Sequence, residues 1–197
     1  MGKIFYIMGK SAAGKDKIYS RLIGNQELSL KKLILYTTRP IRDGEKNGRE
    51  YFFTDDRKLA ELESQGLVIE KREYHTVHGL WTYFTADDDQ ADLEKSDYLG
   101  IGTLESFVKM REYYGEEAVI PVYIQVETGE RLTRALAREK TQDHPKYAEM
   151  CRRFLADTVD FSEENLESLG ITERFENKDL EETLRKISER IREKEAN

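Results

Sequence analysis

One cysteine, Cys151, serves a chain of 197 residues, so no internal disulfide can form, and no Cys or His partner stands at metal-ligand spacing from it. Cys151 is read as a buried or neutral thiol. Long apolar runs are missing as well. The stretches Ile4 to Met8 and Ala118 to Val126 are far too short to span a bilayer, and the start has no signal-peptide pattern. A soluble, cytoplasmic chain is expected. There is no basic excess either: a net charge of -7 and a pI near 5.2 argue against a nucleic-acid surface, because polyanion binding needs a net basic footprint. Local basic clusters are left to serve small anions. The three histidines, His75, His78 and His144, are scattered without the Ser, Cys or carboxylate partners that hydrolysis requires, and are read as structural or pocket-rim residues. No internal repeat, low-complexity tract or linker divides the chain.

What is present is charge. Charged residues make up 36% of the chain against 38% hydrophobic, with a mean hydropathy of -0.73, which implies a heavily solvated surface around one compact domain with a small insertion. Lys3 to Met8 is a short β-rich apolar run that stops at Gly9, and a helical apolar period follows from Lys15 to about Leu22. Further buried strands are expected at Leu33 to Tyr36, Tyr98 to Ile101 and Val119 to Val126, separated by helical patterns. That alternation predicts an α/β fold: a parallel sheet with helices on both faces. Arg49 to Thr85 differs, being rich in β-branched and aromatic residues around a short helix from Asp55 to Ser64. It reads as a small mixed insertion. Glu130 to Arg153 carries two helical patterns around a loop at Thr141 to Pro145, as a mobile lid would, and Leu180, Leu184, Ile187 and Ile191 share one face of a C-terminal docking helix.

The junction after the first strand carries chemistry. Gly9-Lys10-Ser11-Ala12-Ala13-Gly14-Lys15-Asp16 matches the Walker A pattern at every fixed position except the last, where Asp16 replaces Ser or Thr. Such a loop between strand and helix aims successive backbone N–H groups and a positive helix end at a polyphosphate, and Lys15 reaches the outer phosphates. A P-loop NTPase-type core with ATP as ligand is expected. The usual hydroxyl at the last position ligates Mg²⁺. A carboxylate is also a hard ligand, so Asp16 is the candidate Mg²⁺ residue. Its charge beside a polyanion makes nucleotide affinity metal-dependent.

The run from Thr37 to Phe53, containing Arg39, Arg42, Gly44, Gly48 and Tyr51, resembles the acceptor motif of the guanylate kinase family. Two planar arginine forks and a phenol hydroxyl, folded together at glycine turns, suit a monophosphate. In that family residues at the positions of Arg39, Arg42 and Tyr51 hold the GMP phosphate, and the resemblance implies the same here. Leu67-Val68-Ile69-Glu70 resembles the segment whose carboxylate recognises guanine. A carboxylate accepts from both N1–H and the 2-amino group, whereas adenine presents an acceptor at N1. Tyr83-Phe84-Thr85 is the nearest match to the family's Tyr-Gly-Ser/Thr step, giving Tyr83 to the phosphate and Thr85 to the guanine edge.

The resemblance divides the chain into a core over residues 1–36 and 86–197, with a helical lid at about 128–153, and an acceptor-binding insertion over 37–85. Lid arginines that would stabilise the transferring group are Arg134, Arg138 and Arg153, with Lys15 and Arg39 completing the catalytic set. The chain departs from the family at Gly100 and Gly102, where two aspartates are usual. Their loss is expected either to leave Asp16 to compensate in part or, alternatively, to open space for a bulkier or differently shaped acceptor. The implied activity is ATP- and Mg²⁺-dependent phosphorylation of GMP or dGMP by a monomer or homodimer. The alternatives are a ribose 1,5-bisphosphate phosphokinase, whose phosphate loop also reads Gly-Lys-Asp, and a non-catalytic phospho-ligand-binding module.

Overall fold

The computed structural model describes residues 1–76 and 79–195, so Val77 and His78, with the role expected of His78, lie outside it, as do Ala196 and Asn197. Strand β1 (Ile4–Met8) is buried at every position, with parallel neighbours on both edges: β7 (Tyr98–Ile101) and β8 (Val119–Gln125). With β2 (Lys31–Lys32) and β9 (Phe175–Glu176) outside them, the order is β2-β7-β1-β8-β9, parallel throughout. The alternation of β1 explains the layers. Phe5 and Ile7 face α1 (Lys15–Ile23) and α7 (Leu180–Glu195), packing on Ile18, Leu22, Leu184, Ile187 and Ile191. Ile4, Tyr6 and Met8 face the other way, onto Leu104, Phe107 and Met110 of α3 (Leu104–Tyr114) and Leu166 of α6 (Glu163–Ser168). Burying each such side chain stabilises the fold by about 1.5–3 kcal/mol.

A second, four-stranded sheet runs β4-β3-β6-β5, built from β3 (Tyr36–Thr37), β4 (Phe52–Phe53) and the long hairpin of β5 (Val68–Thr76) and β6 (Gly79–Ala86). It mixes parallel β3/β4 with antiparallel β3/β6 and β5/β6 pairs. Helix α2 (Asp56–Ser64), capped by the Asp55 carboxylate accepting from Lys58 N–H, lays Leu59 and Leu62 on Phe84 and Ala86. The strand expected at Leu33 to Tyr36 is not one strand. Leu33 still donates its N–H to Leu99 of the large sheet, while Tyr36 pairs with Phe52 and Phe84 of the small one, so this apolar stretch is the crossing between sheets. Each end is buried for its own reason, and burial alone mimics a continuous strand.

Helices α4 (Thr128–Lys140) and α5 (Tyr147–Asp160) follow β8 with the expected break between them. Cys151 is exposed on α5, which corrects the expected burial: α5 carries none of its residues fully inside. His75 and His144 are exposed as well. Among the described residues no helix is long and apolar enough to cross a membrane.

Candidate active site

The carboxyl ends of parallel strands are where an α/β sheet opens for ligands, and β1 delivers the phosphate loop there. Gly9 has φ 150, and a Cβ on it would run into the Ile124 carbonyl oxygen. Gly14 has φ 88 with a would-be Cβ 2.6 Å from Asn177 Nδ2, and that amide donates to Ala13 O at 2.8 Å, clamping the loop from behind. Lys15 opens α1 and curls back, donating from Nζ to Lys10 O at 3.1 Å. Burial pushes its pKa down, while the charges of Asp16 and Asp157 oppose the shift. Asp16 is exposed in the first turn, where a negative charge complements the helix dipole.

Two residues that sequence reasoning passed over sit against this loop. The Asp157 carboxylate accepts from Ser11 N–H at 2.7 Å, and Arg131 donates from Nη1 to Asp157 at 3.3 Å and to Ser11 O at 3.4 Å. Arg131 is 1% exposed and stacks 3.6 Å over the Phe154 ring, joining α4 to α5. Its place with Ala135 on the buried stripe of α4 was the available signal. Of the expected lid arginines, Arg134 bonds Glu130 and the carbonyl of Asn177, the residue that clamps the loop. Arg138 is exposed, and its charge helps to lower the Lys15 pKa. Arg153 instead pairs with Glu149, as Arg152 does, on the exposed side of α5.

The insertion brings Arg39, Tyr51 and Tyr83 together. The Arg39 guanidinium is buried between the rings of Tyr51 and Phe53, at 5.1 and 5.2 Å, and Tyr83 meets Tyr51 edge-on at 5.6 Å. Its fork holds Glu45, a partner not foreseen from sequence, through Nη2 to Oε1 at 2.6 Å and Nη1 to Oε2 at 2.8 Å. That hydrogen bonding pulls Glu45 down to about 2, and the buried Nε of Arg39 has no partner. Arg42 is exposed, with its backbone N–H on Glu45. Tyr51 is raised chiefly by burial, and the charge of Asp16 contributes.

Glu70 is buried and lies opposite Thr85 across the hairpin, beside an irregularity in the pairing that aims it inward. Thr85 Oγ1 donates to Glu70 Oε1 at 2.8 Å, and Arg72, another residue not singled out from sequence, donates from Nε to Oε2 at 2.9 Å and from Nη2 to Oε1 at 3.2 Å. Tyr6 lies close enough for both charges to act on it. It is fully buried, donates to Ser106 Oγ at 2.8 Å, and is pushed up to about 12, mainly by burial. The space expected at Gly100 and Gly102 is not open. A Cβ on Gly100 would lie 2.7 Å from Tyr6 Cδ2, and one on Gly102 would strike the Tyr6 hydroxyl and sit 2.5 Å from Ser106 Oγ. The ring of Tyr6 has taken that volume.

Gly9, Ser11 and Lys15 of the loop line one cleft of about 690 Å³ together with Gly102, with Glu105 of α3 and Asp157 of α5, and with Tyr74 as its one residue from the hairpin. A phosphate loop facing an arginine- and tyrosine-lined insertion, with a helical pair over it, defines a P-loop nucleoside-monophosphate kinase. The guanylate kinase family model matches residues 1–194, and the chain belongs to that family. It is 28% identical over 149 residues to a guanylate kinase of Anaplasma phagocytophilum, a match covering 73% of this chain and 67% of that protein. A guanylate kinase of Nitrosomonas europaea is 37% identical over a shorter stretch, 38% of this chain and 37% of the relative. The fold matches the crystal structure of guanylate kinase from Anaplasma phagocytophilum with a TM-score of 0.68 at 22% identity, covering 97% of this chain and 85% of that one.

Proposed function

We propose that this chain transfers the γ-phosphoryl group of ATP to the phosphate of GMP or dGMP. The observation that carries the reading is Tyr74, which lines a cleft with Lys15 and meets Tyr83 edge-on at 5.6 Å, so that the cleft adjoins the Arg39–Tyr51–Tyr83 group in the insertion that also pairs Glu70 with Thr85. The loop amides from Gly9 to Asp16 cradle the donor phosphates, and Lys15 offsets charge developing on the transferring group. Arg39, Arg42, Tyr51 and Tyr83 hold the acceptor phosphate, with Glu70 and Thr85 on the base. An acceptor phosphate oxygen attacks Pγ in line as the bridging P–O bond breaks and its electrons go to the ADP leaving oxygen. Residues 37–85 act as the acceptor-binding insertion and 128–153 as the lid bringing Arg134 and Arg138 inward. Arg153 joins only if the lid closes and Glu149 releases it.

Binding on this reading displaces two existing contacts. The acceptor phosphate takes the Arg39 fork from Glu45, and the donor phosphates compete with the Asp157 carboxylate for Ser11 N–H. Both exchanges replace one oxyanion by another, so the donors never go unpaired. Among the described residues no group of three acidic, His or Cys side chains forms a metal cage, but the exposed carboxylate of Asp16 beside the loop fits an ion completed by phosphate oxygens and water. Asp16 would hold Mg²⁺, which neutralises phosphate charge. Asp16→Ala is therefore expected to raise the Mg²⁺ concentration giving half-maximal rate about tenfold, the loss of one direct or water-bridged contact. A titration curve that does not move removes Asp16 from the metal.

The acceptor is tested by ADP release from Mg²⁺-ATP against GMP, dGMP, AMP, CMP, UMP and ribose 1,5-bisphosphate. GMP and dGMP are expected to turn over. Background rates with both, alongside turnover of another acceptor, sink the proposal, and no turnover with any of them points to the binding module. Glu70→Ala is expected to cut kcat/KM for GMP about tenfold or more while leaving the KM for ATP in place, as befits a hydrogen bond to a charged group. Equal loss of GMP and AMP use counts against a base-reading role.

A further inference from the structure

The hairpin holds a feature that the transfer chemistry does not use: the pairing of Glu70 with Arg72 two residues along the same strand. A carboxylate offers about four lone-pair sites, two on each oxygen. Three are filled here. Thr85 Oγ1 and Arg72 Nη2 occupy Oε1, at 2.8 and 3.2 Å, and Arg72 Nε occupies Oε2 at 2.9 Å. One site on Oε2 remains, whereas guanine's N1–H and 2-amino group together ask for one on each oxygen. The pair is not a loose surface contact that a ligand could sweep aside, since the side chains are 2% and 11% exposed. Separating buried partners leaves a charge without compensation, a larger loss than one extra hydrogen bond to a base returns.

We propose that Arg72 is a specificity-determining residue of the acceptor pocket: it turns Glu70 from a two-point acceptor into half of a donor–acceptor pair, which binds 6-oxopurine monophosphates with or without a 2-amino group. This rests on the purine-monophosphate reading above. Glu70 keeps one site for N1–H. Arg72 keeps Nη1, which is not bonded to Glu70, for the 6-oxo group. A second observation agrees. At Gly100 and Gly102 no carboxylate stands ready to take over the 2-amino group, and the Tyr6 ring fills the volume such a side chain would need. Guanine and hypoxanthine then present the same readable edge, and the 2-amino group goes unread.

The experiment compares kcat/KM for GMP and IMP with Mg²⁺-ATP, in the full chain as wild type, Arg72→Ala and Arg72→Gln. The wild type is expected to favour GMP over IMP by no more than about tenfold, the value of a single weak hydrogen bond. Arg72→Ala, by freeing both Glu70 oxygens, raises the GMP/IMP ratio about tenfold or more at unchanged KM for ATP. Arg72→Gln, which returns one donor to Glu70, falls between them and decides the matter if Arg72→Ala does not fold. A merely structural Arg72 would lower both rates and leave the ratio alone. That outcome, or a wild type preferring GMP by more than about a hundredfold, the scale of a charged hydrogen bond, overturns the role of Arg72 while GMP turnover upholds the acceptor reading. Absence of turnover with both nucleotides overturns the acceptor reading itself.

Discussion

Lys15→Ala lowers kcat by on the order of 10³, with fold and melting temperature retained. The lysine stands at the start of α1, where Ala is a better helix former, so the backbone loses nothing by the change. What is lost is a positive charge in a mostly buried position: Nζ rests on Lys10 O at 3.1 Å, and its pKa is pushed down by burial. A cation in that setting is poorly hydrated, so its field on a nearby phosphate is weakly screened, and this is what makes a preorganised charge valuable in a transition state. Single-turnover kinetics at saturating Mg²⁺-ATP and acceptor give the measurement. Lys15→Arg is expected not to rescue, because a planar fork cannot replace a point charge in a loop closed by Gly9 and Gly14. Retention of more than about a tenth of the wild-type rate in Lys15→Ala would remove the lysine from the transition state, since a preorganised donor is worth at least a hundredfold.

Gly102→Ala costs about 3 kcal/mol of stability, at the upper end for overpacking, and lowers Tm by about 6–12 °C for a chain of this size. The new methyl meets the Tyr6 hydroxyl and Ser106 Oγ, and Tyr6 has nowhere to retreat: it is fully buried, packed on Phe107 with ring centroids 6.1 Å apart. Gly102→Asp, which restores the residue type usual in the family, is expected to be worse still. A carboxylate would need still more room than a methyl beside the Tyr6 and Ser106 hydroxyls, which already bond each other. The cause is checked by repeating Gly102→Ala in a Tyr6→Leu background and measuring thermal melting of all four proteins. A smaller penalty in that background identifies the ring as the obstacle. Strictly additive losses would place the strain elsewhere.

These two residues mark the limits of what was legible in the chain. Lys15 could be read because its loop is local: a strand, glycines able to adopt positive φ, and a helix start follow one another in sequence. The same holds for the burial of β1, the expected helix faces of α1 and α7, and the break between α4 and α5. Gly102 could be recognised as a departure, but not interpreted, because what fills the space comes from Tyr6, almost a hundred residues earlier. Leu33 to Tyr36 misled for a related reason, its two ends being buried by different sheets. Cys151 was read as a buried or neutral thiol for want of partners at disulfide or metal-ligand spacing, and the open face of α5 decided against burial.

The acceptor side divides in the same way. Arg39, Tyr51, Glu70 and Thr85 were named from the resemblance of their segments to the family's motifs, and the hairpin pairing of β5 with β6 brings Glu70 onto Thr85. Their partners were not visible. Glu45 on Arg39, Arg72 on Glu70, and Asp157 with Arg131 on Ser11 are ion pairs and hydrogen bonds whose strength depends on burial, and a list of charged residues in a chain with 36% of them cannot say which are buried. By itself the sequence determined the glycine loop between β1 and α1, the α/β alternation and the arginine- and tyrosine-bearing run from Arg39 to Tyr51, because each of these is written within a few tens of residues. Tertiary structure alone decided which carboxylate each arginine holds and what volume the glycines leave, because those depend on side chains brought together from distant segments.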